Sequence, residues 1–417
     1  MTMPAMRPPR KNPVLRTPQI NLPPGARGRV ALGLTAAAAL GRFELQVCED
    51  CGAVQYPPRD ACHVCLSPRL RWREQPDGGA LLSDTTLHHS NDLYFRERLP
   101  WRLGLVRLDS GPTVMAHLHG AVRLAPCRVR IAARLDRAGQ AVLVALPEGE
   151  DVTMTADPML REMSSDPRFR KVLVTDGKTA VGQALVRAFV AAGADIVWAG
   201  CAEPWKKMPG TSDLDALAPL AWVPLDVTNE RSVNELAGEI GGKVDIVVNN
   251  AEVHRAFGVA ARRGTDVARA EMEVNYLGLL RLAQAFGPAL KGRSADGVAH
   301  ATAWVNLLSI YALANFPPHG TYSASKAAAC SLAQCLRAEM RPAGIRVLNV
   351  FPGPIDDEWN QQMPPPKLAP AALASAVVKA LREGLEDVYP GDVAQEWLER
   401  WRDNPKVLER ELAQGGA

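Results

Sequence analysis

The stretch LLSIYALANFPPHGTYSASKAAA, residues 307–329, sets a serine at the end of an apolar run, a tyrosine thirteen positions later and a lysine four beyond that. On a helix, Tyr322 and Lys326 share one face, a turn apart. A neighbouring ammonium favours a phenolate, so this spacing predicts a Tyr322 pKa below the ordinary value of about 10. A tyrosine tuned in that way exchanges a proton with an alcohol or carbonyl oxygen at neutral pH. Ser309 closes the run TAWVNLLS. Its hydroxyl is therefore expected at the carboxyl edge of a strand, aimed at the same substrate oxygen. A Tyr-x-x-x-Lys pair alone says little, because helices carry many; the serine on a strand end gives the pattern its weight.

Around this stretch, from Arg170 onward, strand and helix alternate. KVLVT, DIVWA, AWVPL, VDIVV, TAWVNLL and IRVLNV read as six strands. They are almost continuously apolar, as strands covered by helices on both faces must be. The alternation predicts a Rossmann-like α/β domain, a doubly wound parallel sheet with right-handed crossovers. Ligands are then expected beyond the carboxyl ends of the strands. Asn275, in EVNYLG, falls in the helix between the fourth and fifth strands, where its amide would hold a water linking Lys326 to solvent.

Residues 170–400 resemble the short-chain dehydrogenase/reductase family. The matching stretches are NNA (residues 249–251), VNYLG, LLS, YSASK and FPGP (residues 351–354), with Asp226 in LDVTN. The resemblance implies that Asn275, Ser309, Tyr322 and Lys326 form a catalytic proton relay beside NAD or NADP. It implies cofactor contacts from Thr175, Gly177, Val181, Gly182, Asp226, Val227, Asn249, Ala251, Pro352 and Gly353. It also implies a homo-oligomer built through this domain.

The first turn departs from the family's T-G-x-x-x-G-x-G. Here Thr175 is followed by Asp176, and Ala180 stands where the second glycine belongs; only Gly182 is kept. The glycines allow a tight turn and close approach to a pyrophosphate. A methyl at Ala180 and a carboxylate at Asp176 oppose that approach, while Gly177 restores flexibility and Lys178 brings positive charge. Further along, Gly200 and Cys201 end the second strand without an acidic or arginine selector, Glu252 replaces the glycine after NNA, and Asp357 stands where a threonine is usual. These changes supply the alternative expectation: a pseudoenzyme kept as a docking or dimerisation partner.

Before Arg170 the sequence follows a different pattern. Residues 1–26 are Pro-rich and acid-free, and read as a disordered basic arm without the apolar core of a secretory signal. Residues 27–73 read as an Ala-rich helix and a zinc ribbon. Cys48-x2-Cys51 and Cys62-x2-Cys65 place two thiol pairs on tight turns, a spacing that presents four thiolates to one structural zinc. The remaining four of the eight cysteines are scattered as buried thiols would be, which fits a reducing cytoplasm. Residues 74–147 carry five short β-like runs punctuated by Gly, Pro and Asp, and read as a small all-β OB-fold barrel. His117 and His119 alternate along one of them and read as polar surface residues. Residues 148–169 are polar and read as a linker, and 170–417 as the α/β domain, giving a multidomain chain.

FELQVCEDCGAVQYPPRDACHVCLS and ERLPWRLGLVRLDSGPTVMAHLHG resemble the zinc-ribbon plus OB-fold proteins that accompany thiolases and related acyl-CoA enzymes. That resemblance covers residues 27–147 and implies docking on a separate thiolase or aldolase-like subunit and contact with an acyl-CoA substrate. An OB barrel otherwise suggests single-stranded nucleic acid, which calls for aromatics stacked along a basic groove. Arg123, Arg128, Arg130 and Arg134 have few aromatics beside them. With a net charge of +3 over 417 residues, nucleic acid is not the expected partner. No apolar run is long enough to span a bilayer. The combined expectation is a cytoplasmic, bifunctional protein: a dehydrogenase of 3-hydroxyacyl-CoA-type alcohols fused to a thiolase-docking domain.

Overall fold

A computed structural model describes residues 21–25, 27–149, 152–203, 205, 209–261, 263–295 and 300–414. Most of the expected N-terminal arm lies outside the described residues. The described residues divide into two compact units: one within 21–166 with 381–386, the other within 167–380 with 387–414.

In the first unit, helix α1 (Leu32–Ala39) leads into strands β1 (Glu44–Cys48), β2 (Val54–Gln55) and β3 (Leu70–Glu74). These pair antiparallel in the order β2-β1-β3. Then come β4 (Gly78–Leu87), the short helix α2 (Leu93–Arg96), β5 (Trp101–Leu108), β6 (Thr113–Leu118), β7 (Cys127–Leu135) and β8 (Ala141–Pro147). β4 to β8 close into a barrel in the order β4-β5-β6-β8-β7, with β6 and β8 parallel. That is the OB-fold connection, and closure leaves no edge strand. Alternation does the work: along β6, Val114, Ala116 and Leu118 are buried while Thr113 and Met115 are exposed. The inward residues meet Leu81, Val106, Ile131 and Leu143 in one core.

Two expectations fail in this unit. His117 and His119 are not surface residues: His119 is 4% exposed, and His117 Nδ1 accepts the Trp101 indole N–H at 2.8 Å. The segment expected as a linker is folded. It holds a 3-10 turn (Met154–Ala156) and helix α3 (Pro158–Arg161). Met154, Leu160 and Met163 are buried against Trp101, Val144 and Leu146. Asp157 caps α3, its Oδ1 accepting the N–H groups of Met159 at 2.7 Å and Leu160 at 3.2 Å, with Pro158 at the first helical position.

The second unit runs β9 (Lys171–Val174), α4 (Ala180–Ala191), β10 (Ile196–Cys201), α5 (Thr211–Leu214), β11 (Leu220–Pro224), α6 (Glu230–Ile240) and β12 (Ile246–Asn249). It continues with α7 (Asp266–Met272), a π-helical turn (Glu273–Gly278), α8 (Leu279–Gly292), β13 (Ala303–Leu307), α9 (Gly320–Met340), β14 (Arg346–Val350), α10 (Pro370–Glu383), β15 (Asp387–Val388), α11 (Asp392–Asp403) and α12 (Pro405–Ala413). The seven strands are all parallel, in the order β11-β10-β9-β12-β13-β14-β15. The six read from sequence are present; the two-residue β15 is an addition. Strand order reverses between β9 and β12, which opens the ligand crevice at their carboxyl ends. Val247, Trp304 and Val347 on neighbouring strands are fully buried against Leu282, Phe286 and Leu290 of α8, which fixes the register of this core.

Candidate active site and metal centre

The crevice is tied together by Thr175 and Asn250. Thr175 Oγ1 accepts the N–H of Asn250 at 3.0 Å and of Ala251 at 3.1 Å. Asn250 Oδ1 accepts the Asp176 N–H at 3.0 Å, and its Nδ2 donates to the Asp176 carbonyl at 2.6 Å. The β9 turn and the end of β12 thereby become one rigid wall. Asn249 is the last residue of β12, and its neighbour Asn250 makes these bonds.

The β9–α4 turn is tight and needs two glycines. Thr179 caps α4, its Oγ1 accepting the Gly182 N–H at 3.1 Å. A Cβ on Gly182 would run into the Asp176 carbonyl, so the third glycine of the motif is required by the turn itself. Gly177 is required by packing, since a Cβ there would lie 2.6 Å from that of Ala199. The charge around the turn is altered. Asp176 accepts the Lys178 N–H at 3.1 Å, and burial raises its pKa. Glu358 Oε2 accepts the Ala180 N–H at 3.4 Å. The Lys178 ammonium is bound to the Glu203 carbonyl at 2.7 Å. Carboxylates thus stand where a helix N-terminus ordinarily receives an anion.

Asp226 Oδ1 accepts the Thr228 N–H and hydroxyl at 2.9 and 2.7 Å, fixing the turn in which Val227 lies. Pro352 accepts the Ile310 N–H at 2.9 Å, and a Cβ on Gly353 would lie 3.0 Å from that of Val393. Both sit after β14 on the same edge of the sheet.

Tyr322 and Lys326 lie on α9, and Ser309 follows β13, its Oγ accepting the Tyr311 N–H at 3.2 Å. All three are buried, with exposures of 3%, 2% and 5%. Asn275 lies in the π-helical turn, a distortion common at functional sites. Its Oδ1 accepts the Val253 N–H at 3.0 Å, and its Nδ2 donates to the Val253 carbonyl and to Ser325 Oγ, both at 2.9 Å. Asn275 thereby fixes the segment that follows β12.

That segment carries Glu252 into the centre of the site. Glu252 Oε2 lies 2.6 Å from Lys326 Nζ and accepts the Tyr322 hydroxyl at 3.0 Å. Lys326 also donates to the Leu307 carbonyl at 3.0 Å. The expectation of a lowered Tyr322 pKa is therefore overturned. Burial and then the Glu252 carboxylate raise it well above the ordinary value. The lysine charge is balanced by the glutamate and no longer favours the phenolate. Burial acts to raise the Glu252 pKa as well, but Lys326, His254 and two hydrogen bonds together hold it low.

Sequence reading missed the residues around Tyr322. His254 stacks on its ring at 3.7 Å between centroids and meets His319 at 2.5 Å. His319 stands three residues before Tyr322, a one-turn spacing visible in PPHGTY. Tyr311, Phe316 and Trp397 pack as an aromatic cluster with Leu408 and Leu412, so α11 and α12 roof the tyrosine. Met363 packs on this cluster, and Trp359 lies under the Arg255 guanidinium at 4.9 Å.

In the first unit, the ligand atoms of Cys48, Cys51, Cys62 and Cys65 all lie within 4.8 Å of one another. Cys48 and Cys65 sulfurs are 3.5 Å apart, and those of Cys51 and Cys62 3.6 Å. Sulfurs about 2.3 Å from a shared tetrahedral zinc are separated by about this much. The four ligands leave no open coordination position, so the centre is structural. His63 is directed elsewhere, its Nδ1 lying 3.2 Å from Gln55 Oε1. Of the other cysteines, Cys201 and Cys330 are buried as expected, Cys127 is half-buried and Cys335 is exposed.

A doubly wound α/β unit with a Ser-Tyr-Lys site, following a four-cysteine ribbon and an OB barrel, has counterparts among known families. Residues 170–367 match the short chain dehydrogenase family. Residues 35–71 match the ChsH2 rubredoxin-like zinc ribbon domain, and 72–140 the ChsH2 C-terminal OB-fold domain. Short-chain dehydrogenase ptmH of Penicillium ochrochloron is 33% identical over 205 residues, 47% of this chain and 70% of the fungal protein. Dehydrogenase/reductase SDR family member 7B of Mus musculus is 32% identical over 190 residues, 44% of this chain; the match spans 56% of the mouse protein. A solved short chain dehydrogenase from Burkholderia cenocepacia J2315, in complex with NADP, is 34% identical with a TM-score of 0.53, covering 59% of this chain and 98% of that one. The chain belongs to the short-chain dehydrogenase family, with ChsH2-type zinc ribbon and OB-fold domains on the same polypeptide. No helix among the described residues is long and apolar enough to cross a membrane.

Proposed function

We propose that the second unit is an NAD(P)-dependent dehydrogenase/reductase acting on the alcohol or ketone of a 3-hydroxyacyl-CoA-type substrate, bulky or cyclic acyl groups included. The observation that carries this reading is the burial of Ser309, Tyr322 and Lys326 together beside the crevice, under the aromatic roof of Tyr311, Phe316 and Trp397. Thr175, Gly177, Val181, Gly182, Asp226, Val227, Asn249, Ala251, Pro352 and Gly353 would hold the dinucleotide. Held there, that group would supply hydride chemistry at the carbinol carbon. Tyr322 exchanges the proton at the substrate oxygen, Ser309 orients that oxygen, and the roof keeps water out. The ribbon and barrel would contact acyl-CoA and dock a separate thiolase or aldolase-like subunit. A tether of this kind raises the local concentration of one site around the next. A homo-oligomer through the dehydrogenase unit fits the family.

Titration of the full chain with NADH and NADPH in a calorimeter tests this. Binding of one of them, followed by reduction of a 3-oxoacyl-CoA that falls by about a hundredfold or more in Tyr322→Phe, is expected. No binding at millimolar nucleotide would favour a second reading, which Asp176 and Glu358 at the α4 turn support: a non-catalytic unit retained for assembly.

A further inference from the structure

We propose that Glu252 is a positioning residue of this site: its carboxylate takes the hydrogen bond of the Tyr322 hydroxyl and balances the Lys326 ammonium, so that Tyr322 stands in the site as a proton-carrying phenol. The inference rests on the proposed dehydrogenase reading for its catalytic meaning, but not for its structural content.

The geometry carries it. One oxygen of Glu252 faces both partners, at 2.6 Å from Lys326 Nζ and 3.0 Å from Tyr322 Oη. A hydroxyl bound to a carboxylate can only be the donor, because an ionised carboxylate has no proton to give. A charge-assisted bond of this kind is about twice as strong as a neutral one. Glu252 is also held in place. Asn275 pins the adjacent Val253 through both backbone groups, and the Glu252 side chain is 17% exposed. Its second oxygen faces His254 Nδ1 at 3.8 Å, a buried atom with no hydrogen-bond partner among the described residues. A small movement of the carboxylate would close that gap.

The surrounding charges agree. From α9, Lys326 favours ionised Glu252. From the loop after β12, His254 is held down to about 4 by burial and is neutral near pH 7. His319 is also lowered by burial. Tyr311 and Asp357 face Tyr322 from the loops after β13 and β14, and each opposes a phenolate. Arg255 acts on His254, and Glu271 of α7 lies within range of Glu252. Lys326 is the one cation on Tyr322's own helix that faces the pair, and Glu252 already balances it. When the Tyr322 proton leaves toward a substrate oxygen, the phenolate is left beside a carboxylate. When it moves to Glu252, a phenolate and a neutral acid result. In both cases only one proton changes place, and Glu252 sets how readily it moves.

The test needs neither cofactor nor turnover. Tyrosinate ultraviolet absorbance of the full chain is titrated for the unmodified protein, Glu252→Gln, and Glu252→Gln with Tyr322→Phe. The expected result is one tyrosine in Glu252→Gln that ionises at least about tenfold more readily than in the unmodified protein, and that Tyr322→Phe removes. Glu252→Gly, which deletes the side chain, should behave alike and covers the case in which the amide disturbs folding. In the carbonyl-reducing direction, the alkaline fall in kcat should move to lower pH by the same amount. A Tyr322 titration unmoved in both variants overturns the inference, even in a chain that binds nucleotide. A titration that moves in a chain that binds no nucleotide sustains it while sinking the dehydrogenase reading.

Discussion

Glu358 Oε2 accepts the backbone N–H of Ala180 at 3.4 Å, so a side chain from the loop after β14 lies against the N-terminus of α4. The partial positive charge there is what a dinucleotide's pyrophosphate would otherwise meet. Replacing Glu358 by Gln removes a negative charge from that position while keeping an acceptor oxygen. Charges at helix termini are worth about 0.3–1 kcal/mol. Glu358→Gln should therefore tighten nucleotide binding about two- to fivefold. Isothermal titration with NADH and NADPH reads it directly. An unchanged dissociation constant would mean that the phosphates do not compete with Glu358.

Asp357, beside it, should leave a mark on stability. Burial, then Glu252, raises its pKa from 3.8 to about 6. The folded protein holds this proton more tightly than the unfolded chain does. The resulting contribution to stability is complete below about pH 4 and is lost as pH rises through 6. Asp357→Asn stays neutral throughout. Its amide oxygen keeps the acceptor role toward the Trp359 and Asn360 N–H groups. Urea melts should show the variant gaining on the unmodified protein between pH 4 and pH 7, by about 1–3 kcal/mol. Parallel curves across that range would place the Asp357 carboxyl at its ordinary pKa.

How far sequence alone reaches is visible in these same residues. The sheet strands are legible because continuous apolar runs such as IRVLNV have few alternatives, and the barrel strands because alternation fixes which side faces in. β15 is two residues long and gives no periodic signal. The segment at 148–169 was misread on its polarity, although Asp157-Pro158 carries the capping signal of a helix start. The shared face of Tyr322 and Lys326 is legible because both lie on α9, a regular element with a fixed phase. Glu252 is not. Its identity shows that a side chain enters the cleft, but its aim depends on Asn275 gripping Val253 from another helix. Burial raises the Tyr322 pKa first, and the further rise from Glu252 depends on that aim.

Removing zinc should unfold part of the chain and spare the rest. β1 to β3 are short, and four thiolates hold the two turns between them. Binding energy at such a centre is folding energy. Chelation should release one zinc per chain and abolish amide-exchange protection from Glu44 to Glu74. Protection in β9 to β14 should persist. Uniform loss of protection across both units would show that the ribbon supports the whole chain.

Gln55 should matter to the metal although it does not bind it. It is 3% exposed, and its Nε2 donates to Gln46 Oε1 at 2.9 Å. Its own Oε1 accepts the His63 N–H at 3.0 Å, fixing the backbone immediately after Cys62. Gln46 Oε1 in turn accepts the Arg59 N–H at 2.8 Å. The two glutamines thus hold the second cysteine turn against the strands that carry the first. Loss of outer contacts of this kind costs about 10- to 100-fold in metal affinity. Gln55→Ala should weaken zinc by that amount in competition with a chromophoric chelator, with all four thiols still present. An unchanged affinity would mean that the cysteine turns hold their geometry unaided, and that the buried glutamines serve only the pairing of β1 with β2.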